Sequence, residues 1–195
     1  MNWLRSLFGG RATESKILTT RRDGIDMLVV QRPSIGFLNL IGDAAEPIVA
    51  EGKQALEPLF TSCHSSNSEP PVCDVLMIYC DIESDGRIRG TSDGLRDIIR
   101  RAHALVVITA SENRPESLNI AGKDMGYGRA NLVLTFSRNG VAFVRFYRQL
   151  FQMMMNGVPM PMAWVSLAPQ IPGEDHKDLP GSLFVCEAGQ VVFES

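Results

Sequence analysis

The chain of 195 residues is long enough for one sizeable core and short for two full domains. Hydrophobic residues at 45% and charged residues at 21% exclude a disordered or fibrous chain. Nineteen basic against twenty-two acidic residues leave a formal charge of -3 with no long run of either sign, which excludes the footprint of a nucleic-acid binder.

The opening stretch MNWLRSLFGGRATES sets Trp3, Leu4, Leu7 and Phe8 at helical spacing beside Arg5 and Arg11, a short helix suited to docking on its own domain or touching a membrane surface. It does not have the form of a secretory signal, and no apolar run reaches the roughly 18 to 20 residues that cross a bilayer. No integral membrane segment and a cytoplasmic location are therefore expected. Residues 1–24 are read as an extension and 25–195 as a single α/β domain.

IDMLVVQ, Ile25 to Gln31, is rich in β-formers and closes before Pro33, so it is read as the first strand. Asp43 and Glu46 stand at capping-box spacing ahead of a helix whose face is Ile48, Gly52, Ala55, Leu56 and Leu59. Thr61 to Val72 is rich in serine and proline and is read as a loop, with His64 facing solvent. DVLMIYCDI, Asp74 to Ile82, is an apolar run typical of a strand covered on both faces.

Beyond the turn at Ser84-Asp85-Gly86, Thr91 or Ser92 is placed to cap a helix that buries Leu95, Ile98, Ile99 and Ala102, while Arg96, Asp97, Arg100 and Arg101 point the other way. His103 ends that helix, where a cation suits the dipole. Ala104 to Thr109 is a second buried strand, a helix is expected over Glu116 to about Met125, and Gly126 to Phe136 supplies a turn and another strand. Strands alternating with helices predict a parallel sheet with right-handed crossovers.

Asn139 is placed to cap Val141 to Met155, a helix with Arg145, Arg148, Gln149 and Gln152 on one narrow stripe and apolar residues elsewhere. Phe143, Phe146, Tyr147, Leu150, Phe151 and Met154 are read as core. A short helix is expected around Ala163 to Leu167, and SLFVCEAGQVVFES is read as a hairpin turning at Ala188-Gly189 on the sheet edge.

In an open α/β sheet, ligands gather beyond the carboxyl ends of the strands. The loops there define a candidate crevice: Cys80, Asp81 and Glu83 after one strand, Ser111, Glu112 and Asn113 after the next, Ser137, Arg138 and Asn139 after the third. The first two offer a thiol, a hydroxyl and carboxylates, and the third offers donors at a helix start. A nucleophilic Cys80 or Ser111 needs a base within hydrogen-bond reach. His64 and His103 lie on the wrong sides of their strands, which leaves only His176 in the proline-rich tail. The cysteines Cys63, Cys73, Cys80 and Cys186 lack CxxC spacing, and Cys63, His64 and Cys73 lack a fourth ligand, so neither a disulfide framework nor a metal is expected, and no cofactor is expected either.

The stretch Asp74 to about Gln170 resembles the CHAT domains of the caspase-like peptidases. The likeness lies in the order DVLMIYC, LVVITAS, ANLVLTF, then NGVAFVRFYRQLF and NGVPMPMAW, with the FYRQL step at Phe146 to Leu150 carrying most of it. It implies a three-layer sandwich, a mostly parallel central sheet flanked by helices. Peptidase members carry His-Gly after the first of these strands and Cys after the second. This chain has Cys80-Asp81 and Ala110-Ser111 there, so the resemblance implies the fold without the protease dyad.

GLRDIIRRAHALVVITASENRPES is similar to the helix-strand-serine passage of TIR domains, whose enzymatic members use a glutamate to break the nicotinamide bond of NAD; Glu112 or Glu116 would hold that role. The leading expectation is a non-catalytic module that contacts a protein partner or its own copies. The alternative is an enzyme acting on a nucleotide at the strand ends.

Overall fold

The computed structural model describes residues 15–83, 85, 87–112, 130–135, 141–167 and 182–194. Nine strands form two sheets among them. The larger runs in the order β4-β3-β5-β6-β7-β8, built from β3 (Ser34–Asn39), β4 (Ser62–Ser66), β5 (Val75–Tyr79), β6 (Val106–Ala110), β7 (Asn131–Thr135) and β8 (Ser182–Cys186). All neighbours pair parallel except β8, which is antiparallel to β7. The smaller sheet is β1 (Lys16–Arg22), β2 (Ile25–Gln31) and β9 (Gln190–Glu194), in the order β1-β2-β9.

Every residue of β3, β5, β6 and β7 is buried, as near-continuous apolar runs require of strands covered on both faces. Alternation splits their side chains into two cores. Phe37, Met77, Tyr79, Ile108 and Val133 point to one face, where α1 (Glu46–Leu56), α3 (Val141–Met155) and α4 (Met160–Leu167) lie with the small sheet. Leu38, Leu76, Ile78, Val107 and Leu132 point to the other, beneath α2 (Leu95–Ala102) and its Leu95, Ile98, Ile99 and Ala102. The chain is therefore a mixed α/β fold whose main sheet is mostly parallel and flanked by helices.

From β3 the chain crosses through α1 to β4 at the edge, then returns to lay β5 on the opposite flank of β3. That reversal makes a topological switch point between β3 and β5, with the crest of carboxyl ends above it. Gly52 lets α1 settle there, since a Cβ at this position would collide with the Tyr79 hydroxyl. On α3, Phe143, Phe146, Tyr147, Leu150, Phe151 and Met154 are buried, and Arg145, Arg148, Gln149 and Gln152 form its exposed stripe.

Several expectations are corrected. The sheet does not begin at Ile25: β1, within the stretch set apart as an extension, pairs along the whole of β2 through a tight turn at Asp23 and Gly24, both left-handed. The supposed loop from Thr61 contains β4, a strand poor in β-formers that exists by its ladder to β3. Asp43 and Glu46 do not form a capping box; Asp43 opens a 3-10 turn, and the Glu46 carboxylate accepts from Asn39 Nδ2 at 3.2 Å. Gly94, not Thr91 or Ser92, stands at the start of α2, and Thr91 Oγ1 instead accepts from Asp93 N.

The terminal segment is not a hairpin. β8 spends its hydrogen bonds on β7 and β9 on β2, so consecutive strands enter different sheets. Asn131 holds the divide: its Nδ2 donates to Gly189 O at 2.8 Å, its Oδ1 accepts from Ala188 N at 3.0 Å, and Gly189 takes φ 74. The expected helix at Glu116 to Met125 and the Trp3 to Phe8 segment lie outside the described residues. Among the described residues no helix is long and apolar enough to cross a membrane.

Candidate functional site

Register brings the sequence-predicted loops together. Asn39 is level with Tyr79, and Tyr79 with Ala110, so the carboxyl ends of β3, β5 and β6 finish side by side. The ladder continues one step past the strands: Leu40 N donates to Tyr79 O at 2.8 Å and Cys80 N to Ala110 O at 3.2 Å. Cys80 and Ser111 are thereby neighbours on one crest. Asp81, Glu83 and Glu112 follow them, whereas Asn113, Ser137, Arg138 and Asn139 lie outside the described residues.

The two nucleophile candidates are turned into the protein. Cys80 and Ser111 both show 0% exposure. Ser111 Oγ donates to Thr135 O at 2.6 Å, Ser111 N donates to Thr135 Oγ1 at 3.4 Å, and Thr135 Oγ1 donates in turn to Thr109 O. The hydroxyl therefore stitches the end of β6 to the end of β7, and its proton is committed to a backbone carbonyl. A buried hydroxyl needs such a partner, because leaving it unpaired costs about 1–3 kcal/mol.

No described histidine reaches this crest. His64 is exposed in the middle of edge strand β4, opposite Gly36. His103 closes α2 at φ 57, ahead of β6 and so at the far end of the sheet. His176 is outside the described residues. Tyr79 ends β5, but its phenol is held well above its ordinary range, first by burial and then by the charge of Glu51, so it is no acid-base substitute.

The carboxylates on the crest belong to a folded-back loop. Ile82 bridges Ile88, Glu83 N donates to Arg87 O at 2.8 Å and Arg89 N donates to Asp81 O at 2.9 Å. Arg89 closes it with Nε on Glu83 Oε1 at 2.7 Å and Nη1 on Asp81 Oδ2 at 3.3 Å. The hydrogen bond from Arg89 to Glu83, then the charges of Glu83 and Asp81, raise the guanidinium above its already high ordinary value. Asp81 and Glu83 are thus anchors of a turn, while Glu112 is exposed at the end of β6.

Asn39 and Asp74 were not singled out in the sequence. Asn39 is buried and orders the β3–α1 turn, accepting from Ile41 N and Gly42 N and donating to Gly42 O and Glu46. Asp74, fully buried at the opposite end of the sheet, accepts from Ser34 N at 2.9 Å, Ser34 Oγ at 2.7 Å and Ser15 Oγ at 3.3 Å. The signal for each was an Asn or Asp directly at a strand end, a position shared by many solvent-facing residues.

The cysteines Cys63, Cys73, Cys80 and Cys186 are not in disulfides. Burial, then the charge of Glu57, pushes the Cys63 thiol up, away from the reactive thiolate. Among the described residues no group of three potential ligands is placed to hold a metal ion. Comparison with family models, with curated proteins and with solved structures finds no match to this chain.

Proposed function

We propose that this chain is a non-catalytic, caspase-like α/β module of the CHAT type that works by contacting other protein. One observation carries the reading. At the two strand ends where a peptidase of that kind needs an imidazole and a thiol, this chain has Cys80-Asp81 and Ala110-Ser111, with Cys80 and Ser111 fully buried and the serine hydroxyl spent on Thr135 O. Support for the fold comes from the mostly parallel six-stranded sheet with its antiparallel last strand. Of the two C-terminal helices, α3 gives most of its apolar surface to the core, whereas α4 leaves Met162 at 58% and Val165 at 52% exposure, one turn apart.

Size-exclusion with light scattering and crosslinking, on the purified chain and in its lysate, tests this. Self-association, or capture of a partner whose binding is weakened by Met162→Asp with Val165→Asp, is expected; a strict monomer with no captured partner overturns the reading.

One observation favours a second reading, an enzyme of nucleotides: Glu112 is exposed at the crest. Incubation with NAD and a nucleotide panel, repeated with Glu112→Ala, Glu116→Ala and Ser111→Ala, decides it. Turnover lost in a glutamate variant establishes the enzyme; absence of both binding and turnover removes it.

A further inference from the structure

We infer that the open edge of β4 pairs with β4 of a second copy of this chain, joining two main sheets across a two-fold axis near His64. This deepens the protein-contact reading and rests on it.

The backbone sets the geometry. Leu40 N donates to Tyr79 O, so the even positions of β3 face β5 and its odd positions face β4. With Gly36 level with His64, the odd residues of β3 flank the even residues of β4, which carry the ladder. Cys63 and Ser65 therefore turn their N–H and C=O groups outward. Among the described residues no strand pairs with that side.

The edge is held at both ends. Thr61 N and Oγ1 both donate to Pro33 O, at 3.0 and 3.2 Å, before the strand. After it, Ser66 Oγ accepts from Ser68 N and Glu69 N, and Glu69 is tied to α2 by Arg101 at 2.9 Å. An exposed edge fixed in this way is a template for another strand unless charge or proline blunts it. Ser62–Ser66 contains neither lysine, arginine, carboxylate nor proline.

The occupant follows from symmetry and charge. Antiparallel pairing about His64 sets Cys63 against Ser65 of the other copy, and each exchanges both backbone hydrogen bonds. Neither strand carries a lysine, arginine or carboxylate that would oppose this. The edge of β1 behaves oppositely, because the same operation about Thr19 sets Lys16 against Arg22. Lys53 of α1 and Glu57, the residue that follows α1, both act electrostatically on Cys63, so each copy brings one cation and one anion beside the edge rather than a charge of one sign.

The full chain is tested by sedimentation over a concentration series, beside His64→Lys, which sets two cations at the axis of an exposed site and leaves the ladder to β3 intact. A concentration-dependent dimer, weakened about tenfold or more by His64→Lys, is expected. Independently, His64→Cys is oxidised and run on a non-reducing gel against Thr20→Cys; residues opposed at a non-hydrogen-bonded antiparallel position lie about 4.5 Å apart between Cα atoms, within disulfide reach. Selective crosslinking at position 64 supports the edge pairing. A dimer indifferent to His64→Lys and uncrosslinked at position 64 overturns this edge and leaves the contact reading standing. A monomer throughout overturns the pairing, and if no other protein is captured it removes the contact reading as well.

Discussion

The two ends of the main sheet bury polar side chains for the same purpose and expose different surfaces. At the amino end, Asp74 collects Ser34 N, Ser34 Oγ and Ser15 Oγ and fastens β3 to β5. At the carboxyl end, Ser111 fastens β6 to β7 through Thr135. A hydroxyl or carboxylate in a strand-end position is thus no evidence of chemistry until its partner is known, because a sheet must satisfy its terminal backbone groups somewhere. The ends differ in what stands above these knots: the carboxyl end carries the Arg89-closed loop and the exposed Glu112.

The largest effect that sharpens this comparison is expected from Asp74→Ala, which strips the acceptor from two buried donors of Ser34 and should cost about 3–5 kcal/mol by urea denaturation. A change below about 1 kcal/mol would break the view of the amino end as a fastening.

Alkali comes next. Burial raises the pH at which both Tyr79 and Tyr147 ionise in the folded chain, with Glu51 adding to the first. The unfolded phenol titrates near pH 10, so stability is fully present below that pH and falls as pH rises above it, by about 1.4 kcal/mol per pH unit for each tyrosine. Absorbance at 295 nm should show these two of the three tyrosines ionising only as the chain unfolds.

Ser111→Ala should cost a smaller amount, about 1–2 kcal/mol. Loss of an activity without loss of stability would reverse the assignment of Ser111. The smallest shift is expected from Arg89→Ala: the pairs are exposed, so the fall in melting temperature should be less than for Ser111→Ala and should vanish in high salt.

What the residues disclosed by themselves was the part of the fold where local pattern and environment agree. The apolar runs of β5, β6 and β7 allow little but buried strands, and Val141 to Met155 is a helix because its polar stripe recurs at helical spacing. The meeting of Cys80, Ser111 and Glu112 on one crest follows from that same alternation. Tertiary structure decided the rest. β4 is a strand because β3 supplies its ladder, and β8 and β9 part because Asn131, more than fifty residues earlier, holds the turn between them. Ser111 became a stitch between strands because Thr135 O, 24 positions on, takes its proton. Side-chain periodicity reports which face of an element is apolar; the partner of a backbone edge or a buried hydroxyl is set by contacts distant in the chain, which no local pattern encodes.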